Sequence, residues 1–125
     1  MKSQENNIIL EKTFSFAVRI VNLYKYLTTK ETNKEFILSK QLLRSGTSIG
    51  ANTEEAIGAA SPADFLNKLT IAYKEARESK YWIRLLYKTD YLSEEETNSL
   101  ITDIDEICNI LAKIQISTKT KLGYS

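Results

Sequence analysis

Ser61-Pro62-Ala63-Asp64 reads as the start of a helix, and the residues after it decide the fold: Phe65, Leu69, Ala72, Ala76, Ser79, Ile83 and Leu86 recur at alternating spacings of four and three. The Ser61 hydroxyl can accept from an amide that the first turn leaves unpaired. Pro62 lacks only an N–H that no helix would use there, and Asp64 puts negative charge at the positive end of the helix dipole. Small and apolar side chains at this period fall on one stripe, which is the seam of an antiparallel bundle. A second stripe lies beside it: Ile71, Glu75, Glu78, Trp82 and Leu85.

Working outward from that helix, the same signals recur. Ser93-Glu94-Glu95-Glu96 opens a fourth helix whose seam is Leu100, Ile104, Ile107, Leu111 and Ile114, and whose late bases Lys113, Lys119 and Lys121 suit its negative end. Upstream, Thr32-Asn33-Lys34-Glu35 has the spacing of a capping box, and Gly58 stops the helix it would open. The first helix again carries two stripes, Leu10, Phe14, Ala17, Val21 and Tyr24 beside Phe16, Ile20, Leu23 and Leu27. Faces this wide belong either to a globular core or to a subunit interface. Connections near residues 30–32, 59–61 and 90–92 are short, so neighbours run antiparallel. The expected fold is all-α, a single up-down-up-down antiparallel four-helix bundle over residues 1–125, with helices at about 5–30, 33–58, 62–89 and 94–117 and a disordered tail at 118–125.

Gln41 to Ala56 is the unusual segment. Gly46 and Gly50 sit inside helix, each at a cost of roughly 1 kcal/mol relative to alanine. Counted from a turn centred at residue 60, they lie level with positions near 74 and 70, so a close approach to Ala72 and Ala76 on the third helix is the expected compensation. Ser45-Gly46-Thr47-Ser48-Ile49-Gly50 is not a phosphate loop, lacking both the Lys-Ser/Thr ending and a preceding strand. Arg44, Ser48 and Glu55 project from one side of the helix. By the same count Arg44 and Glu78 differ in height by about 3 Å, within reach of an ion pair, while Glu55 is level with Phe65, where Asn67 or Lys68 can reach it. Three readings of these polar residues stay open: solvated charges, a buried Arg-Asn-Glu set that fixes register or an oligomer contact, and an acid/base pair of Glu55 and Glu78.

Composition narrows the chemistry. The chain has 125 residues with no histidine and one cysteine. A histidine-held metal or haem, a Ser-His-Asp triad, a Cys-His pair and the Glu-x-x-His di-iron site therefore lack their ligands or bases. Cys108 alone makes neither an internal disulfide nor a thiolate cage, which fits a reducing cytoplasm. No cofactor is expected. The longest charge-free run, Ser45 to Thr53, is far short of the roughly 20 residues a membrane span needs. Glu5 and Glu11 bracket Ile8-Ile9-Leu10 before a signal-peptide core can form. A cytoplasmic protein with no membrane partner is the expectation.

Leu42-Leu43-Arg44-Ser45-Gly46-Thr47-Ser48-Ile49-Gly50-Ala51-Asn52, then Glu55-Ala56, Asp64-Phe65, Lys68-Leu69, Ala72-Tyr73-Lys74-Glu75-Ala76-Arg77-Glu78 and Tyr81-Trp82-Ile83-Arg84-Leu85-Leu86, closely resemble the bacterial four-helix bundle family, also called the 23S rRNA intervening-sequence protein or S23-like family. The likeness spans roughly residues 10–117. It implies the same up-and-down bundle, assembly as a homopentamer, and no enzymatic activity. It also implies kinship with accessory proteins of diversity-generating retroelements, which bind nucleic acid and a protein partner. Arg44, Ser48, Asn52, Glu55 and Glu78 match recurrent polar positions of that family, which the resemblance marks as structural or assembly residues.

Those accessory proteins are strongly basic, whereas this chain carries a net charge of +1. Divided by segment, residues 1–30, 31–60, 61–92 and 93–125 carry +3, −1, +2 and −3. Helices one and three are basic and helix four is acidic. A basic face with Arg19, Lys25, Lys68, Lys74, Arg77 or Lys80 on it would bind RNA or DNA; a mixed surface would bind neither. The expected function is a non-catalytic oligomeric bundle serving as a nucleic-acid or ribonucleoprotein accessory factor, with a structural or protein-binding adaptor as the alternative.

Overall fold

Four helices make up the protein in the computed structural model, which describes residues 4–124: α1 (Gln4–Thr29), α2 (Leu38–Ile57), α3 (Pro62–Lys88) and α4 (Glu94–Lys121). There is no strand among the described residues. Ser61 caps α3 by accepting from the Asp64 amide at 3.1 Å, and Ser93 caps α4 by accepting from the Glu96 amide at 3.1 Å. α2 packs against α1 and α3, and α4 closes the ring against both. Each sequential pair is antiparallel, so the architecture is an up-down-up-down four-helix bundle.

One core fills the centre. Phe16, Ile20 and Leu27 from α1, Leu42 and Ile49 from α2, Leu69, Ile83 and Leu86 from α3, and Leu100, Ile104 and Ile107 from α4 are fully buried within it. Burial of each such side chain stabilises the fold by roughly 1.5–3 kcal/mol relative to exposure. The two stripes of α1 separate cleanly. Phe16, Ile20, Leu23 and Leu27 face the core, while Leu10, Ala17, Val21 and Tyr24 are half-buried and Phe14 is 69% exposed. Among the described residues no helix is long and apolar enough to cross a membrane.

Three expectations are corrected. α2 begins at Leu38, not near residue 33. Asn33 adopts a left-handed φ of 56°, which no helical first turn accepts, so Thr32 caps nothing. Glu35 does the capping from outside: its buried carboxylate accepts from the amides of Ile37, Leu38 and Ser39 at 3.0, 2.9 and 2.6 Å. Secondly, residues 118–121 are helical. α4 ends in a Schellman motif, with Gly123 at φ 78°, the Gly123 amide donating to the Thr120 carbonyl at 3.1 Å and the Tyr124 amide to the Lys119 carbonyl at 2.9 Å. Of the expected disordered tail, Ser125 lies outside the described residues.

Thirdly, Gly46 and Gly50 face α1 rather than Ala72 and Ala76. A Cβ on Gly46 would stand 2.9 Å from Ile20, and one on Gly50 would stand 3.4 Å from the Thr13 carbonyl oxygen. The height count places them correctly along the axis but on the wrong neighbour. The close approach to α3 is made one residue earlier, where the buried Ser79 hydroxyl donates to Ser45 Oγ at 2.9 Å.

Candidate functional site

Arg44 on α2 reaches across to α3, donating to Glu78 and, at 3.3 Å, to Glu75. Its side chain is 49% exposed, so this is a surface clamp and not a buried charge set. Ser48 and Asn52 serve their own helix. The Ser48 hydroxyl donates to the Arg44 carbonyl at 2.7 Å and the Asn52 amide to the Ser48 carbonyl at 2.9 Å. Glu55 pairs with Lys68 at 2.9 Å, and that bond raises the Lys68 pKa above its ordinary value. Glu55 and Glu78 therefore belong to separate ion pairs about three helical turns, or roughly 16 Å, apart along the bundle. They do not converge on a reacting atom. Burial, helped by Asp105, pushes the Cys108 thiol up, which keeps it protonated and a poor nucleophile.

The charges of the other seams are also spent internally. Acidic α4 runs between basic α1 and basic α3, and ion pairs cross both grooves: Lys12 to Glu106 at 2.9 Å, Arg19 to Asp103 at 2.6 Å and Lys80 to Asp105 at 2.7 Å. Of the six expected basic-face residues, Arg19, Lys68 and Lys80 are thus neutralised locally. Lys25 is exposed on α1, diagonally across the bundle from α3. The six do not share a face. Lys74 and Arg77 remain, on the outer side of α3.

Those two belong to a stripe that summing charge by helix does not reveal. Lys74, Arg77, Tyr81, Arg84 and Lys88 follow at spacings of three, four, three and four, and all are exposed. Among the described residues no acid pairs with Lys74, Arg84 or Lys88. Arg77 donates to the Tyr73 hydroxyl at 3.3 Å, which holds its guanidinium still more firmly protonated. Tyr81, Arg84 and Lys88 are absent from the expected face, although their period is as regular as the core seam's. Tyr81, Arg84, Leu85, Tyr87 and Lys88 line a notch of about 340 Å3. Four cations along about 21 Å of helix, with an aromatic ring between them, make a continuous strip of positive potential on this face.

A second surface is apolar. Leu10, Phe14, Ala17, Thr47, Gly50 and Ala51 line a groove of about 260 Å3 between α1 and α2. Val18, 44% exposed, continues the apolar surface of α1.

Comparison with known proteins agrees with the fold. The family model described as 23S rRNA-intervening sequence protein matches residues 5–113. A crystal structure from Bacteroides thetaiotaomicron, a protein of unknown function from the S23 ribosomal protein family, is 52% identical over 90% of this chain and 98% of its own, with a TM-score of 0.86. No curated protein matches the chain.

Proposed function

The chain belongs to the 23S rRNA-intervening sequence protein family, and from that premise we propose that it is a non-catalytic, self-associating bundle that holds nucleic acid by its phosphate backbone on the outer face of α3. The observation that carries this reading is the unneutralised stripe of Lys74, Arg77, Arg84 and Lys88 on a molecule whose other seams consume their charge in ion pairs. The names of the family and of its solved relative both refer to ribosomal components, which agrees with nucleic acid as partner. The separated carboxylates and the protonated Cys108 support a role in binding over catalysis. A lone thiol is in keeping with a cytoplasmic setting.

Salt titration tests the reading. Four phosphate contacts at about −0.7 each predict a slope of log K against log salt near −3 for a single strand. Replacing Arg84 by alanine should reduce the slope by about one contact's share. Absence of salt-dependent association near 0.15 M ionic strength would overturn it.

Self-association is the second part of the proposal, and the apolar α1–α2 groove supports it, with Phe14 69% exposed at its rim. A homopentamer is the state the family resemblance implies. Size exclusion with light scattering should give a multiple of 14.3 kDa, and a clean monomer would refute it. Phe14→Glu should shift the assembly toward monomer. The same groove supports the alternative, a structural or protein-binding adaptor, which the salt titration separates from the first reading.

A further inference from the structure

Resting on the reading of α3 as a phosphate-binding face, we propose that Tyr81 and the notch beside it take an unstacked base, so that the ligand is single-stranded nucleic acid and not duplex. Tyr81 is 55% exposed at the centre of the cationic stripe, with Lys74 and Arg77 on one side and Arg84 and Lys88 on the other. Its phenol can donate to a phosphate, but its ring adds a flat π face that phosphates do not use and a base can stack on.

The ring is also held in place. Tyr81 stands edge-on to Trp82, with centroids 5.1 Å apart and planes at 75°. Trp82 donates its indole N–H to Glu78 at 3.0 Å, and Glu78 is gripped from the neighbouring helix by Arg44. The ion pair between α2 and α3 therefore orients Trp82, and Trp82 braces Tyr81. A ring braced before binding loses little freedom when a ligand stacks on it. Arg44 and Glu78 act here as positioning residues.

The notch has the matching chemistry. Its volume, about 340 Å3, lies at the small end of the range for small-molecule sites, and Leu85, Tyr81 and Tyr87 give it an apolar, aromatic lining rimmed by Arg84 and Lys88. An unpaired base offers two flat π faces for such a lining, while its flanking phosphates meet the cations above and below. A duplex keeps the faces of its bases stacked inside and exposes only backbone and groove edges, leaving the tyrosine ring without a stacking partner. Charge complementarity sets the partner's class, and the ring sets its strandedness.

Fluorescence anisotropy with the full chain separates the claims, using oligouridine RNA and oligothymidine DNA of about 12 nucleotides and a duplex of the same length. Both single strands should bind more tightly than the duplex. Tyr81→Ala should weaken single-strand binding by about tenfold, with the salt slope and duplex affinity unchanged, and Tyr81→Phe should retain it. Arg84→Ala should weaken all three ligands. Single strands should quench the emission of Trp82, the sole tryptophan, and the duplex should not. Equal affinity for strands and duplex, or a silent Tyr81→Ala, would overturn the base notch while leaving the phosphate face standing. Failure of every oligonucleotide to bind would overturn both.

Discussion

Cations on the grooves beside α4 and cations on the outer face of α3 are the same residue types in opposite circumstances. Lys12, Arg19 and Lys80 each lie within 2.9 Å of a carboxylate contributed by α4. Lys74, Arg84 and Lys88 have no such partner among the described residues. A net charge of +1 therefore does not describe an evenly neutral surface. It is the sum of four cations on one face of α3 and a remainder that is net acidic, part of whose charge is paired across the seams. The ion pairs of the seams tie helices to one another, and the cations of the bare face tie none.

The sharpest way to break that contrast is to remove charge from each region in turn. Arg77, Arg84 and Lys88 replaced together by alanine should weaken oligonucleotide binding by about 100-fold or more while leaving the melting temperature nearly unchanged. The same treatment of Lys12, Arg19 and Lys80 should leave affinity within a few-fold and lower the melting temperature instead. Equal losses of affinity from both triples would mean that net charge, and not the stripe, is what nucleic acid senses.

The seams should answer in stability, and the two glycines of α2 grade that answer. A Cβ at Gly46 would meet both branches of the buried Ile20 at 2.9 and 3.0 Å, too close for either to stay where it is. Gly46→Ala should therefore destabilise by about 2 kcal/mol despite alanine's better helix propensity. At Gly50 the nearest atom stands at 3.4 Å, an ordinary contact, so Gly50→Ala should stabilise by up to about 1 kcal/mol. Denaturant unfolding of the two variants reads the sign directly. The same sign for both would mean that α1 and α2 are not held at this distance.

The two glycines also show how much is legible in the sequence. Counting residues from a turn gives height along a helix, and height suffices to pair Arg44 with Glu78 and to narrow the partner of Glu55 to Asn67 or Lys68, of which Lys68 makes the bond. It does not give angle. Height alone consequently assigns Gly46 and Gly50 to α3 when they face α1, and Ser45 makes the α3 contact. Angle is likewise lost when charge is summed by helix, which groups Arg19 and Lys80 with Lys74 and hides the continuation of the stripe through Tyr81, Arg84 and Lys88. Ser61 and Ser93 are legible as caps because residue type and hydrogen bond coincide there. Thr32 has the right type, but the left-handed Asn33 turns the chain away from it.

Glu35 offers a smaller test of the seam side. Burial disfavours its charged form, but the amides of Leu38, Ser39 and Ile37 outweigh that cost and hold the carboxyl below its ordinary value. A carboxyl depressed on folding contributes stability that is fully present above the unfolded pKa, about 4.3, and is lost as pH falls through the folded value. Glu35→Gln should cost about 1 kcal/mol at neutral pH, and the gap from the unmodified protein should narrow on acidification. A gap that persisted well below pH 4 would mean that the charge of Glu35 is not what caps α2.

The smallest effect is expected from a single seam pair, and its smallness is itself informative. Arg19 and Asp103 are 2.6 Å apart, but their side chains are 32% and 43% exposed. Water screens such a pair, and ordering the long arginine side chain offsets much of what the contact gains, so a double-mutant cycle should give a coupling of about 0–1 kcal/mol that shrinks in salt. The seams then act by number and by sign, orienting acidic α4 between two basic helices, with no one pair indispensable. Arg84, with no acid to satisfy, should show no coupling to Asp103 at all. A coupling well above 1 kcal/mol at Arg19–Asp103 would make that groove a structural lock, and the line between seam and face would then be one of strength as well as of partner.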